Sequence, residues 1–88
     1  MKTCSVYKKT SDNWCPNYNY DFVMVSFCQT GPNPPINGEW RVCVWGADDF
    51  GMERDFKNKD EALKCFIEVI SIDDVTIDEL KLLEFISA

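Results

Sequence analysis

The sequence predicts a small α+β domain over residues 1–88, with an antiparallel sheet of three or four strands and two C-terminal helices packed on one of its faces. Two observations indicate this class: β-type segments fill the first two thirds of the chain, and two capped helical segments fill the last third. A third observation is the length, because 88 residues leave room for one compact core and no second domain.

The first two strands are predicted from β-favouring composition. The segment CSVYK at 4–8 contains Val6 and Tyr7, which favour extended backbone. The segment FVMVSFC at 22–28 is apolar on both alternating faces, a pattern typical of a central or doubly covered strand. One of these faces carries Phe22 and Met24, and the other carries Val23, Val25 and Phe27.

The next two strands form a predicted hairpin, EWRVCVW at 39–45 and FGMERDF at 50–56, joined by a turn rich in Gly and Asp. Alternation places Trp40, Val42 and Val44 opposite to Arg41, Cys43 and Trp45, and places Phe50, Met52 and Phe56 opposite to Glu53 and Asp55. Arg54 falls on the apolar side, so either it extends to the edge of the sheet or a bulge shifts the register.

Two capping signals predict the helices. Asn58 and Glu61 form a capping box at the start of a helix at about 59–70, whose predicted inward residues are Ala62, Leu63, Phe66, Val69 and Ile70. Thr76 and Glu79 form the same signal at the start of a second helix at about 77–86, with Ile77, Leu80, Leu83 and Ile86 inward. The partly alternating KLLEFIS allows a rival interpretation as a last strand.

Two segments are predicted to be loops. TGPNPPING at 30–38 holds three prolines and two glycines, which prevent regular strand pairing. NWCPNYNY at 13–20 keeps neither strand nor helix periodicity and places three aromatic rings among three asparagines. Such a composition is typical of binding surfaces, although one or two of the rings could instead cover the sheet; we expect Trp14 inward and Tyr18 and Tyr20 exposed.

The bulk composition predicts a cytoplasmic protein without a membrane span. No run approaches the roughly 20 apolar residues that a membrane helix needs. The N-terminal MKTCSVYKKTSD lacks the apolar region of about 7–15 residues that a secretory signal requires.

The cysteines predict reduced, buried thiols and no bound metal. The count of five is odd, there is no closely spaced pair, and the chain has no histidine. A zinc site would require four distant thiolates to converge in space, and a redox or metal protein remains the alternative that such convergence would support. Free cysteine otherwise behaves as a small apolar residue.

Nothing in the sequence points to an enzyme or to a cofactor. Without histidine, proton transfer near neutral pH would require another side chain with a strongly shifted pKa. GADDFG lacks a lysine and lies at a hairpin, so it is no phosphate-binding loop. The pairs Asp48-Asp49 and Asp73-Asp74 could collect a divalent cation, but neither fits a calcium loop, and aspartates also stabilise turns and helix starts.

Charge is distributed unevenly. Residues 1–47 hold four basic and three acidic residues, and residues 48–88 hold five basic and twelve acidic ones, so the whole net charge of −6 comes from the second half. Such a field repels nucleic acid and attracts basic protein surfaces, although acidity also serves solubility. Aromatic stacking on single strands by Trp14, Tyr18 and Tyr20 would need a basic groove, for which only Lys2, Lys8 and Lys9 are candidates.

The segment WRVCVWGADDFGMERDFKNKDEALKCF at 40–66, a hairpin with an acidic turn feeding a capped helix, resembles the layout of small acidic proteins from bacteriophages and mobile elements, among them anti-CRISPR and other anti-defence inhibitors. The resemblance implies a non-enzymatic inhibitor, monomeric or homodimeric, that binds a host protein or ribonucleoprotein with a basic surface.

In this interpretation carboxylates take the place of phosphates opposite Lys and Arg, and aromatic residues anchor the complex. The predicted partner-binding residues are Asp48, Asp49, Glu53, Asp55, Asp73, Asp74, Asp78, Glu79, Tyr18 and Tyr20. The alternative is a small interaction or regulatory subunit that can form a homodimer and whose acidity is only solubilising.

Overall fold

The computed structural model describes residues 3–12, 22–29, 40–46 and 51–87. The predicted loops at 13–20 and 30–38 lie outside these ranges, as do Asp48, Asp49 and Phe50. The strands are β1 (Thr3–Lys9), β2 (Phe22–Gln29), β3 (Trp40–Trp45), β4 (Gly51–Phe56) and β5 (Ile86–Ser87), and the helices are α1 (Lys59–Ile70) and α2 (Ile77–Leu82).

The five strands form one antiparallel sheet in which spatial order follows sequence order. The α+β class is therefore confirmed. The predicted number of three or four strands is wrong, because Ile86 and Ser87 pair with Glu53 and Met52 as a fifth strand at the edge.

One face of the sheet, which we call the covered face, provides the core. Its buried members are Val23, Val25, Phe27, Val42, Val44, Met52 and Phe56, each at most 7% exposed. They cluster with buried side chains of both helices, among them Phe66 and Leu80. The Phe27 ring stacks on Trp40 and lies 5.9 Å, centroid to centroid, from Phe66. The alternation in the strand sequences predicts this face correctly, since successive side chains point to opposite sides.

Helix α1 begins and ends at the predicted residues. The Asn58 side chain accepts a hydrogen bond from the Glu61 N–H at 2.8 Å, which satisfies one of the free donors of the first turn. The buried stripe is Ala62, Cys65, Phe66 and Val69. The inward prediction for Leu63 is wrong: it is 37% exposed, because Cys65 completes the stripe spaced at three and four residues.

The start of α2 is held by its own cap residue and by a residue that follows β1. The Thr76 hydroxyl accepts a hydrogen bond from the Glu79 N–H at 3.3 Å, as the capping signal predicts. The carboxylate of Asp12, which follows β1, accepts a hydrogen bond from the Ile77 N–H at 2.6 Å. The negative charge of Asp12 also stabilises the helix, because it interacts with the partial positive charge at the N-terminal end of the helix dipole.

The end of α2 differs from the prediction. The helix stops at Leu82 and not at 86, because Glu84 adopts a left-handed conformation with φ of 67°. The Glu84 N–H then donates to the Lys81 carbonyl and the Phe85 N–H donates to the Leu80 carbonyl, both at 3.0 Å, which is a Schellman motif. Phe85 is buried, whereas Ile86, predicted inward on the helix, is exposed on β5. Residues 77–87 thus contain both the helix and the strand that were the rival interpretations.

Arg54 lies on the covered face without a bulge, because β3 and β4 pair in unbroken register from Trp40–Phe56 to Trp45–Gly51. Its guanidinium carbon lies 4.7 Å from the centroid of the Phe56 ring, and Nη1 donates to the Leu83 carbonyl at 2.9 Å. Arg54 therefore extends to the sheet edge and binds the C-terminal end of α2.

A second tie joins the end of β1 to the connection between the helices. The Val75 N–H donates to the Lys9 carbonyl at 3.0 Å. Asp74 accepts from the Ser11 N–H at 2.6 Å and from the Ser11 hydroxyl at 2.5 Å, so both carboxylate oxygens are engaged. These bonds lower the pKa of Asp74 below its ordinary value.

None of the helices in the described ranges has the length and apolar character required to cross a bilayer.

Candidate protein-binding face

The second face of the sheet, which we call the open face, combines apolar and charged side chains. It carries the residues that alternate with the core positions of each strand. Both described helices contribute their buried residues to the cluster on the covered face. The open face is therefore the part of the sheet that the described helices leave available.

Three neighbouring strands align an apolar row across this face. Register pairs Tyr7 with Met24 and Met24 with Trp45, so the three side chains stand side by side. Phe22 lies two residues from Met24 on the same face. Tyr7 is 74% exposed and Phe22 is 58% exposed, which are high values for large aromatic side chains in a sheet.

Gly51 on β4 lies beside the end of the row. It pairs with Trp45, and a Cβ atom at position 51 would lie 2.5 Å from Trp45 Cε3. The indole ring therefore lies against bare backbone, in space that any other residue would fill. This contact holds Trp45 half-buried at the end of the row.

A charged cluster of Arg41, Glu53 and Asp55 occupies β3 and β4 beside the row. Arg41 Nε donates to Asp55 Oδ1 at 2.6 Å and Nη2 donates to Oδ2 at 3.1 Å, a bidentate pair. The side chains are 34%, 20% and 17% exposed for Arg41, Glu53 and Asp55. The hydrogen bond to Asp55 raises the pKa of Arg41, against the opposing effect of burial.

Glu53 Oε2 has a charge contact but no hydrogen bond from the residues that the structure describes. This atom lies 2.6 Å from Arg41 Nε, yet the Arg41 N–H is directed to Asp55. Oε2 is buried, and no group in the described ranges donates a hydrogen bond to it. The cluster therefore holds two carboxylates to one guanidinium, with one oxygen left without a donor.

The buried thiols are poor nucleophiles. Burial raises the pKa of Cys43 to about 12 and that of Cys65 to about 11. Both stay protonated near neutral pH, and a thiol without its thiolate reacts slowly. Cys28 is half-buried and Cys4 is exposed, while Cys15 lies outside the described ranges.

No metal or cofactor site is evident in the parts of the chain that the structure describes. No group of three or more Cys, Asp or Glu side chains there could hold a metal ion. A cleft of about 250 Å³ lies between β4 and α1. Its volume is below the range of about 300–1,000 Å³ that is usual for ligand pockets.

The predicted partner-binding residues separate into three groups. Glu53 and Asp55 lie in the charged cluster of the open face. Asp73, Asp74, Asp78 and Glu79 lie at the connection between the helices and in the first turn of α2, on the helical side of the sheet. Asp48, Asp49, Tyr18 and Tyr20 lie outside the described residues. The structure thus joins Glu53 with Asp55 and separates them from the acids of the helical side.

The two groups of acids also differ in how freely they are available. Asp73, Asp78 and Glu79 are exposed, whereas Asp74 binds Ser11 and Asp55 binds Arg41. Three of the four predicted acids on the helical side of the sheet are therefore exposed, whereas Glu53 and Asp55 of the open face are partly buried.

The apolar row was absent from the predicted site. Its signal was present in β2, where Phe22 and Met24 form a second apolar face, and in Trp45 on the polar side of β3. What the sequence lacked was the register that places Tyr7, Met24 and Trp45 side by side on three strands.

Comparison of the chain with protein-family models, with curated proteins and with solved structures finds no match in any of the three.

Proposed function

We propose that the protein is a non-enzymatic inhibitor that binds a bacterial defence complex or nuclease, of the anti-CRISPR type, and acts in the host cytoplasm. It either blocks the basic surface on which that partner binds nucleic acid or holds the partner inactive. The assignment to this class comes from the layout of residues 40–66. The contact chemistry comes from the carboxylates of the two helices and the turns beside them, which we call the helical layer.

The observation that carries the proposal is the series of exposed carboxylates along the two helices. The exposed acids of this layer are Asp60, Glu61, Glu68, Asp73, Asp78, Glu79 and Glu84. Their exposed basic neighbours in the helices and the adjoining turns are Lys57, Lys59, Lys64 and Lys81. An excess of fixed negative charge of this kind attracts Lys and Arg on a partner and accelerates association.

The test is a pull-down from bacterial lysate at low and high salt, with identification of the retained protein and a nucleic-acid competition assay. We expect a basic nucleic-acid-binding protein that is retained at low salt and loses its nucleic acid when bound. Charge reversal at Asp78 and Glu79, or at Asp48 and Asp49, should weaken retention. Retention that is indifferent to salt and to all four reversals would exclude the electrostatic mechanism.

A second candidate function is favoured by the exposure of Tyr7 and Phe22: a small interaction subunit that forms a homodimer through aromatic residues. Sedimentation equilibrium distinguishes the two candidates. A dimer that persists at high salt and is lost in the Tyr7→Ser variant would support self-association. A monomer at all accessible concentrations would exclude the homodimer.

A further inference from the structure

We propose that the open face docks a protein segment that presents an arginine or lysine beside an apolar side chain. This inference rests on the proposed function, since it names the partner's local chemistry, but it assigns the contact to a different surface from the carboxylates of the helical layer. The apolar row provides the anchor, and the charged cluster provides the charge that selects the segment.

The apolar row has the exposure expected of an anchor surface. Tyr7 and Phe22 are more than half exposed, and Met24 and Trp45 are half-buried beside them. Ile86, which pairs with Glu53 at the β5 edge, is 66% exposed on the far side of the charged cluster. Aromatic and Met side chains are enriched at the centres of protein interfaces, where they bury large area with little loss of rotamer freedom.

The charged cluster holds one more carboxylate than it holds cations. Arg41 forms two hydrogen bonds with Asp55 and contacts Glu53, so its single positive charge faces two carboxylates. Glu53 Oε2 is itself buried and out of reach of a partner, but 20% of the Glu53 side chain is exposed. A guanidinium or ammonium group of a partner placed against that exposed part would balance the excess negative charge.

Charge complementarity also decides between a basic partner and a second copy of this chain. Each copy carries a net charge of −6, so two copies repel each other at long range. Outside the cluster, the cation that the described strands place on the open face is Lys9. It lies in β1 opposite Phe22 of β2, and β1 is separated from β3 by β2. A basic segment is attracted both by the local negative charge of the cluster and by the overall negative charge of the chain.

The test uses the full chain, labelled with ¹⁵N, and the dipeptide probe N-acetyl-Arg-Trp amide. The control probe replaces arginine with citrulline, which keeps the shape and removes the charge. We expect the arginine probe to shift the amide resonances of Tyr7, Met24, Cys43 and Glu53 and to leave those of α1 unchanged. Affinity for the citrulline probe should be at least about tenfold lower, the usual effect of losing a charged hydrogen bond.

Matched variants separate the two parts of the surface. Glu53→Gln should weaken binding of the arginine probe about tenfold and leave the citrulline probe unchanged, whereas Glu68→Gln on α1 should change neither. Phe22→Ser should weaken both probes, and Leu82→Ser, which changes a more exposed apolar residue on α2, should weaken neither.

Three outcomes of the probe titrations would overturn the inference: shifts centred on α1, equal affinity for the two probes, or no shift up to the solubility limit of the arginine probe. Concentration-dependent shifts of the same open-face resonances without any probe would also overturn it, because they assign the face to a second copy. The dipeptide contains nothing of a nucleic-acid-binding protein, so its failure leaves the pull-down result intact, and the reverse also holds.

Discussion

The two faces of the sheet consist of alternating residues of the same strands, yet they differ in burial and in polarity. Covered-face side chains such as Val25, Val42 and Val44 are fully buried and apolar, and Arg54 reaches the edge through its long stem. The open face mixes exposed aromatic residues with an ion-paired cluster that is only partly shielded. The covered face is built for packing, and the open face retains groups whose bonding is incomplete.

The largest contrast is expected from one substitution made on each side. Phe66→Ala removes a ring that packs on Phe27 in the core and should cost about 3–5 kcal/mol of unfolding free energy. Phe22→Ala removes the same atoms from a side chain that is 58% exposed and should cost about 1 kcal/mol or less. Urea denaturation measures both, and similar losses would mean that the open face is covered in solution.

The charged cluster should give the next largest effect. Arg41→Met leaves Glu53 and Asp55 facing each other without a cation and should cost about 2 kcal/mol, less than a fully buried pair because water reaches the cluster. Arg41→Lys keeps the charge but loses the bidentate geometry, so its cost should be intermediate. A neutral result for Arg41→Met would show that the cluster adds nothing to folding.

On the helical side, one position should gain stability. Glu84→Gly relieves a left-handed backbone conformation, which costs roughly 1 kcal/mol for residues with a Cβ, and should stabilise the fold by about 0.5–1 kcal/mol. Glu84→Ala is the matched control, because it removes the 3.4 Å contact with Arg54 and keeps the strained backbone. If both variants gain equally by thermal denaturation, the carboxylate and not the backbone is responsible.

The smallest effect concerns the tie between β1 and the helical layer, and it depends on pH. Because the bonds from Ser11 lower the pKa of Asp74 in the folded state, their contribution is present above the unfolded value of about 3.9 and is lost as pH falls through the folded pKa. The stability difference between wild type and Asp74→Asn should therefore be constant near neutral pH and shrink in acid. A difference that stayed constant down to strongly acidic pH would contradict the role given to the bonds from Ser11.

The sequence predicted best what depends on local periodicity. The faces of β2, β3 and β4 follow from alternation, and α1 follows from the cap at Asn58 and one apolar stripe. The end of α2 was missed because its left-handed turn falls on Glu84, where the usual glycine signal is absent.

Contacts between distant residues could not be predicted from the pattern alone. The hydrogen bond from Ser11 to Asp74 joins residues 63 positions apart, and the fifth strand exists because Ile86 pairs with Glu53. The same limit applies to the candidate site. Its residue types are visible in the strands, but the apolar row and the bidentate pair of Arg41 with Asp55 exist only through strand register.

Helix α2 has six residues, far fewer than the roughly 12–15 that an isolated helix needs to persist in water. Its two ends are held by side chains from outside the helix: the Asp12 carboxylate, which follows β1, at the first turn and the Arg54 guanidinium of β4 at the last. Each charge opposes the partial charge at the end it binds. Loss of the Asp12 or the Arg54 contact should therefore let the whole helix open in one step. The amide protons of α2 should then exchange with solvent together, ahead of those of α1.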